Sequence, residues 1–226
     1  MAQMPVLVVL AGGSSSRMWP LREKLLLRFG TETLLSSQLR RFQALGLQEA
    51  VIVANPGNAG DVKALAGQIS AMSIRVVVQP EPKGMGDALL QAAPALPTHP
   101  GTALYVVQVH DVVDDQLHID MLNAYQNDPT ATYIAGYERE DYFPGGYLIV
   151  NPDGRITGII EKPGAENRPS NLVNIVAHIH SNAGELLDAL QAEYAKGVTT
   201  DDHYERAMDA LMKQDTSHLL YRYPHQ

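Results

Sequence analysis

Cysteine is absent from this sequence, which excludes disulfides, thiolate metal sites and a cysteine nucleophile. Positive charge is also scarce: 17 lysines and arginines face 25 aspartates and glutamates, and the formal net charge is -8 at pH 7. This balance argues against non-specific binding to nucleic acid. No apolar run approaches the ~20 residues of a membrane span, and the N-terminal run lacks the basic flank and cleavage pattern of a signal peptide. We therefore expect a cytoplasmic protein with neither a nucleic-acid nor a membrane partner.

The composition that remains is typical of an ordinary globular protein. The chain has 226 residues, of which 45% are hydrophobic and 19% charged. That length is sufficient for one domain with a well-buried core and too short for two ordinary domains. We therefore expect a single domain over residues 1–226.

Apolar runs and helical spacing alternate along the first half of the chain. They predict strands at 5–10, 51–54, 74–78 and 104–109, and helices at 32–45, 61–72 and 88–93. Four further strands, at 132–136, 147–150, 156–160 and 174–180, are separated by turns, and helices at 183–195 and 202–212 precede a last strand near Leu219. This order predicts an α/β fold: a three-layer αβα, Rossmann-like, doubly wound and mostly parallel sheet with an added mixed or antiparallel portion.

A glycine-rich loop follows the first predicted strand, which ends at Leu10. Gly12 and Gly13 permit positive φ and the close approach of a ligand. The next three residues, Ser14, Ser15 and Ser16, add hydroxyls and a row of N–H groups. Between positions 12 and 28 of this acidic chain there are four basic residues, Arg17, Arg22, Lys24 and Arg28, and one acid. A locally cationic loop at the carboxyl end of a strand is suited to a polyphosphate.

The loop is neither of two better-known phosphate-binding motifs. It has no G-x-x-x-x-G-K-[ST], and the third glycine of G-x-G-x-x-G is missing. Its pattern, L-A-G-G-x-x-x-R-M-x-P-L followed by a lysine, closely resembles the signature of the sugar-1-phosphate nucleotidylyltransferases, or NDP-sugar pyrophosphorylases. The resemblance extends in order over nearly the whole chain and implies the nucleotide-diphospho-sugar transferase fold. It implies nucleotide binding by Leu10, Ala11, Gly12, Gly13, Ser14, Ser15, Ser16, Gln79 and Gly84.

The resemblance gives individual roles to the basic and amide residues near the nucleotide. Arg17 and Lys24 would stabilise the pyrophosphate that leaves, although the segment before Lys24 is shortened and the family's neighbouring proline is absent. Gln79 begins a segment that resembles the family's base-reading Q-x-x-P-x-G, in which Gly84 lets the backbone approach the base. The same loop also predicts that Asp87 is the N-cap of the following helix.

Asp111 occupies the place of the family's metal-binding aspartate, so the resemblance implies Mg²⁺ at this residue. The family has a glycine where this chain has His110. Family members also supply a second aspartate from a Trp-x-Asp-x-Gly segment close to where this sequence stops, at residues 221–226. Two alternatives stay open: a C-terminal segment is missing from this sequence, or the metal is held differently.

Two further segments resemble the family's sugar-binding motifs: Gly-Gly-Tyr at 145–147 and Ile-Ile-Glu-Lys-Pro at 159–163. Glu161 would accept hydrogen bonds from sugar hydroxyls, and Lys162 would pair with the sugar phosphate. Gly146 and Asn174 complete the sugar-binding set. His178 departs from the family pattern; a zinc site on His178 and His180 is disfavoured because no third ligand can be named.

Gly12, Gln79, Asp111 and Glu161 each follow the last apolar residue of a predicted strand. The carboxyl ends of parallel strands meet at one edge of a sheet, where open α/β folds bind ligands. The four residues therefore meet in one cleft if the strand before Glu161 runs in the same direction as the others.

The activity implied is Mg²⁺-dependent formation of an NDP-sugar and pyrophosphate from a nucleoside triphosphate and a sugar 1-phosphate. Two alternatives are retained: a molybdopterin-type cofactor nucleotidylyltransferase, and a regulatory domain that binds nucleotide without turnover. The motif Arg-Met-Trp-Pro-Leu favours a resemblance to mannose-1-phosphate guanylyltransferases. The motif Gln-x-x-Pro-x-Gly instead favours a resemblance to thymidylyl or uridylyl enzymes. The base, the sugar and a homo-oligomeric state are therefore left open.

Overall fold

The computed structural model describes residues 2–13, 23–97, 99, 101–214 and 217–224. The strands are β1 Val6–Leu10, β2 Arg28–Phe29, β3 Glu32–Thr33, β4 Glu49–Ala54, β5 Ser73–Val78, β6 Leu104–Gln108, β7 Thr132–Glu138, β8 Gly146–Val150, β9 Ile156–Glu161, β10 Leu172–His180 and β11 His218–Arg222. The helices are α1 Leu34–Ala44, α2 Ala59–Ala66, α3 Gly84–Ala92, α4 Asp115–Asn127, α5 Ala183–Ala195 and α6 His203–Lys213.

Nine strands of the described residues form one mixed sheet, with a main order of β11-β7-β10-β6-β1-β4-β5. The four strands β5, β4, β1 and β6 are mutually parallel. Strand β10 is antiparallel to both β6 and β7, and β8 joins β10 to β9. The chain passes outward from β1 to β4 and β5, and then returns to the other side of β1 for β6. The boundary between β1 and β6 is therefore the topological switch point, where folds of this kind bind ligands.

The core lies on both faces of the sheet. Leu7 and Val9 of β1 pack in a cluster with residues of α1, α2 and α4, whereas Val8 and Leu10 pack in a second cluster with residues of α3, α5 and α6. A strand that is covered on both sides has no polar face. This is why its apolar run shows no alternation, and the prediction of a doubly wound three-layer fold is confirmed.

Several predicted boundaries are wrong, and two of them have a local reason. Helix α1 starts at Leu34 because Thr33 caps it, with its Oγ1 accepting from the Ser36 amide at 3.2 Å. Helix α2 ends at Ala66 rather than at residue 72. Ile69 and Met72 lie beyond it but are still buried, and so their spacing imitates helix. Helix α3 starts four residues earlier than predicted.

Two elements were not predicted. Helix α4 follows β6 and buries Leu117, Met121 and Tyr125, which recur every fourth residue. Strands β2 and β3 form a two-stranded hairpin before α1. No described helix has the length and apolar character that crossing a membrane requires.

Candidate active site

A cleft of about 390 Å³ opens at the carboxyl ends of β1 and β6. Its walls are the backbone that follows β1, the turn that follows β6, the start of α3 and the loop before α6. The lining residues that the sequence predicted are Leu10, Ala11, Gly12, Gly13, Lys24, Gln79 and Gly84. The structure therefore brings together the described part of the predicted nucleotide-binding set. Ser14, Ser15, Ser16 and Arg17 lie outside the described residues.

Two asparagines that were not predicted hold the glycine-rich loop. Asn58 is fully buried, and its Nδ2 donates to the Ala11 carbonyl at 2.9 Å and to Glu23 Oε2 at 3.0 Å. Asn55 Nδ2 donates to the Gly12 carbonyl at 3.3 Å. These bonds fix both ends of the loop and place Lys24, which follows Glu23, beside the cleft. In sequence, these asparagines only follow the predicted strand at 51–54 and belong to no motif.

Gln79 is 5% exposed and directs its amide into the protein. Its Nε2 donates to the Gly84 carbonyl at 3.0 Å and to Asp87 Oδ2 at 2.8 Å. Both amide hydrogens are thus used inside the chain, and the oxygen faces Gly12, where an added Cβ would lie 3.1 Å from it. Asp87 lies within the first turn of α3, whose N-cap is Lys83, so the predicted capping role of Asp87 is wrong.

Gly84 is required by its conformation and by a neighbouring loop. Its φ is +86°, a region that favours glycine, and an added Cβ would lie 2.7 Å from the backbone oxygen of Asp201. Asp201 belongs to the loop between α5 and α6 and also lines the cleft. The start of α3 and this loop are therefore packed together through a position that tolerates no side chain.

Asp111 lies just beyond β6, on the edge of the sheet that also carries Gly12. Burial raises the pKa of its carboxyl, while His110, a backbone hydrogen bond from Val176 and Lys24 act to lower it. His110 Nε2 is 3.8 Å from Asp111 Oδ1. His110 lines the cleft, whereas Asp111 lines a small neighbouring cavity with Val9, Phe42 and His118. The structure therefore brings Asp111 to the same edge of the sheet as Gly12 but not into the wall of the cleft.

The two neighbouring acids are engaged elsewhere. Asp114 accepts a hydrogen bond from the Tyr223 hydroxyl at 2.7 Å, and Asp115 pairs with Arg41 at 2.5 Å. Among the described residues, no three acidic or histidine side chains gather in a way that could hold a metal ion.

The predicted sugar-side residues also come together. An added Cβ at Gly146 would lie 3.2 Å from Glu161 Oε2 and 3.4 Å from Asn174 Cβ, so this glycine forms the floor between them. Lys162 Nζ is 3.1 Å from Glu161 Oε1 and 3.5 Å from Asp201 Oδ2. Its hydrogen bond with Glu161 raises the pKa of Lys162. Lys162 also has a positive φ of 45°, which is costly for a residue with a side chain and is concentrated at functional sites.

Glu161 reaches the site by a different route from the one expected. Strand β9 is antiparallel to β8 in a hairpin, so Glu161 does not follow a strand of the parallel set. It is instead paired with Gly146 at the open end of the hairpin, and Tyr147 pairs with Val173 of β10. Asp201 then connects the two halves, because its carboxylate meets Lys162 and its backbone meets Gly84. No motif in the sequence indicated Asp201.

The chain belongs to the nucleotidyl transferase family, whose model matches residues 6–221. This confirms the family predicted from the sequence.

Among its relatives, the bifunctional protein GlmU of Cereibacter sphaeroides is 31% identical over 210 residues, covering 92% of this chain and 44% of GlmU. The low-salt glycan biosynthesis nucleotidyltransferase Agl11 of Haloferax volcanii is 24% identical over 216 residues, covering 87% of this chain and 59% of Agl11. The chain therefore spans less than half the length of GlmU. A UDP-glucose pyrophosphorylase crystallised with UDP-glucose has the same fold, with a TM-score of 0.76 at 18% identity over 99% of this chain and 92% of its own.

Proposed function

We propose that this protein transfers a nucleotidyl group from a nucleoside triphosphate to a sugar 1-phosphate: NTP + sugar 1-phosphate ⇌ NDP-sugar + pyrophosphate. The observation that supports the proposal most strongly is that the nucleotide-side cleft and the predicted sugar-binding residues meet at Asp201. A cleft built from a glycine-rich backbone and Lys24 adjoins a group of Glu161, Lys162 and Asn174 that is suited to a sugar phosphate. Family membership, and a shared fold with a protein crystallised with an NDP-sugar, support the same function.

The proposed chemistry needs no general base, because the attacking phosphate oxygen is already anionic at neutral pH. Catalysis would come from alignment and from neutralising the charge that develops on pyrophosphate. Lys24 and Arg17 would contact the triphosphate. Lys162 would exchange its present partners, Glu161 and Asp201, for the sugar phosphate and hold that phosphate in line.

Mg²⁺ fits the donor set at Asp111. It binds one or two carboxylates together with phosphate oxygens and waters, and Asp111 is a partly buried carboxylate whose pKa is raised by burial. A cation would compensate for that burial, and the bound triphosphate would supply further oxygens. When bound, Mg²⁺ would add positive charge beside the leaving pyrophosphate. A cytoplasmic location remains a prediction from the sequence.

The direct test is pyrophosphate release with Mg²⁺ across UTP, dTTP, GTP and CTP, each paired with glucose, mannose or N-acetylglucosamine 1-phosphate. We expect one pair to be turned over well above the rest. In the same assay, Lys162→Ala should raise the KM for the sugar 1-phosphate. Lys213→Ala is the matched control, because Lys213 is an exposed lysine paired with Asp209 on α6. Nucleotide binding without product from any pair would favour the regulatory domain instead.

A further inference from the structure

A chain of buried polar groups ends at the sugar side of the site. The Tyr204 hydroxyl lies 2.7 Å from His178 Nδ1 and 2.7 Å from His180 Nε2. The other nitrogen of His178, Nε2, lies 2.7 Å from Asn174 Oδ1. Tyr204 and His178 are fully buried and His180 is 2% exposed. The four side chains form what we call the His-Tyr chain, which runs from His180 at the end of β10 to Asn174 near its start.

The ionisable members of the His-Tyr chain stay neutral at physiological pH. Burial lowers the pKa of His178 to about 3, lowers the pKa of His180 well below its ordinary value, and raises the pKa of the Tyr204 hydroxyl. The ionisable groups facing the chain are His218 on β11, which disfavours charge on both imidazoles, and Glu205 on α6, which disfavours ionisation of Tyr204. The His-Tyr chain therefore holds no charge at physiological pH. Its possible states differ only in the direction in which its hydrogen bonds donate.

Counting hydrogens leaves two arrangements. A phenol has one hydrogen and a neutral imidazole has one, so one histidine must donate to Tyr204 while the other accepts from it. If Tyr204 donates to His178 Nδ1, then His178 Nε2 carries the hydrogen and donates to the Asn174 oxygen. In the reverse arrangement, His178 Nε2 is bare and the amide of Asn174 must turn its NH₂ group inward.

The amide atom that Asn174 turns toward His178 favours the first arrangement. The register between β10 and β7 is interrupted between Ile175 and His178, which takes this part of β10 out of the regular ladder. The amide atom that faces His178 Nε2 is the oxygen of Asn174, and because an amide oxygen only accepts, Nε2 must carry the hydrogen. His178 Nδ1 is then bare and accepts from the Tyr204 hydroxyl.

We propose that Tyr204 and His178 are positioning residues, which lock the amide of Asn174 with its oxygen inward and its NH₂ group toward the sugar. This inference rests on the proposed function. Glu161 lies on the other side of Gly146 and can only accept when ionised. The subsite would then present one acceptor beside one donor, and so select a sugar with a hydroxyl that donates to Glu161 and a neighbouring oxygen that accepts from Asn174.

Tyr204→Phe tests the inference by removing only the shared hydroxyl. We expect the KM for the sugar 1-phosphate that the wild type turns over to rise about tenfold, the scale of one lost hydrogen bond. The KM for the nucleotide and kcat should stay within twofold of wild type. Tyr105→Phe is the matched control: Tyr105 is also fully buried and bonds a histidine, His118 Nδ1, at 2.6 Å, but in the opposite layer of the core.

A second variant separates positioning from general loosening of the fold. Asn174→Ala alone should raise the KM for the sugar 1-phosphate. Adding Tyr204→Phe to it should have little further effect, because the group that Tyr204 positions is already gone. Additive effects would overturn the inference, and so would equal KM changes in Tyr204→Phe and Tyr105→Phe while the wild type is active.

The tautomer can also be read without substrate. Nitrogen-15 NMR of the imidazoles, with His178 assigned by loss of its signals in His178→Gln, should show hydrogen on Nε2 alone in the wild type and a mixture in Tyr204→Phe. A mixture in the wild type would overturn the inference whatever the activity. Absence of turnover in the wild type with every substrate pair would refute the proposed function, which distinguishes the two failures.

Discussion

Replacing Glu205 with glutamine should raise the free energy of unfolding, and the increase should become larger as pH rises. Glu205 lies on α6 and is 5% exposed, and its Oε2 has no hydrogen-bond partner among the described residues. Burial is the largest cause that raises the pKa of Glu205, and the Glu161 carboxylate is the next; together with the other neighbours they bring it to about 8. At pH 7 the folded protein therefore keeps this carboxyl protonated.

The magnitude follows from the proton that folding must take up. In the unfolded chain Glu205 ionises near its ordinary pKa of 4.5, whereas in the folded protein it ionises near 8. Between these values the folded state binds more protons, so the free energy of unfolding falls as pH rises, by about 1.4 kcal/mol per pH unit. The accumulated loss is about 3 kcal/mol at pH 7 and levels off above pH 8.

Glutamine has nearly the same shape and does not ionise, so Glu205→Gln removes this loss. Urea denaturation at pH 5, 6, 7 and 8 should show the variant close to wild type at pH 5 and more stable by about 3 kcal/mol at pH 7. Glu185→Gln is the control, because Glu185 is exposed on α5 and its substitution should give a nearly constant difference. Parallel pH profiles for wild type and Glu205→Gln would refute a carboxyl held neutral in the folded protein.

Three further substitutions test separate parts of the site. Lys24→Ala should lower kcat about 10²-fold, the scale for losing one preorganised charge stabiliser, in a pyrophosphate-release assay; wild-type turnover would remove Lys24 from the mechanism. Lys162→Ala should raise the KM for sugar 1-phosphate on the order of tenfold and leave nucleotide affinity unchanged by calorimetry; an equal loss of both would contradict its assignment. Gly84→Ala should cost on the order of 1–3 kcal/mol in urea denaturation and weaken nucleotide binding, whereas Gly30→Ala, at φ +66° with open space around it, should leave nucleotide binding intact.

Local pattern was sufficient for the elements whose own residues give a strong apolar signal. The buried strand β1 and helix α5, which runs from Ala183 to Ala195 as predicted, are set by runs of apolar residues that the core covers. Helix α4 was missed because its apolar residues are diluted by polar ones and it starts within an acidic stretch. Its existence follows from tertiary packing on the sheet.

In the candidate site, too, residues that lie in a short motif differ from residues that act on a distant part of the chain. The sequence singled out the glycine-rich loop, Asp111 and the Glu161-Lys162 pair because each lies in a short motif that resembles the family, and their binding roles stay predictions. Asn58, Asp201 and Tyr204 were not singled out, because each acts on a residue far away in sequence: Asn58 on Ala11, Asp201 on Gly84 and Tyr204 on His178.

Gly12 illustrates a subtler limit of sequence reasoning. The sequence assigned its freedom to the approach of a ligand. In the structure, the space that a Cβ would take is filled by the Gln79 amide oxygen, with the Ala54 backbone close behind. A glycine required for a ligand and one required for internal packing have the same letter, and only the coordinates of its neighbours separate the two.

The proposed function rests on one spatial arrangement: the backbone at Gly12 and Gly13, with Lys24 and Asp111, would face the triphosphate, and Gly146, Glu161 and Asn174 would face the sugar. A crystal structure with a non-hydrolysable nucleoside triphosphate, Mg²⁺ and a sugar 1-phosphate tests this most directly. The account predicts the phosphates against Gly12 and Lys24, and the sugar above Gly146. A nucleotide bound instead at the opposite edge of the sheet, in the cleft of about 410 Å³ lined by Thr132 and His180, would contradict it.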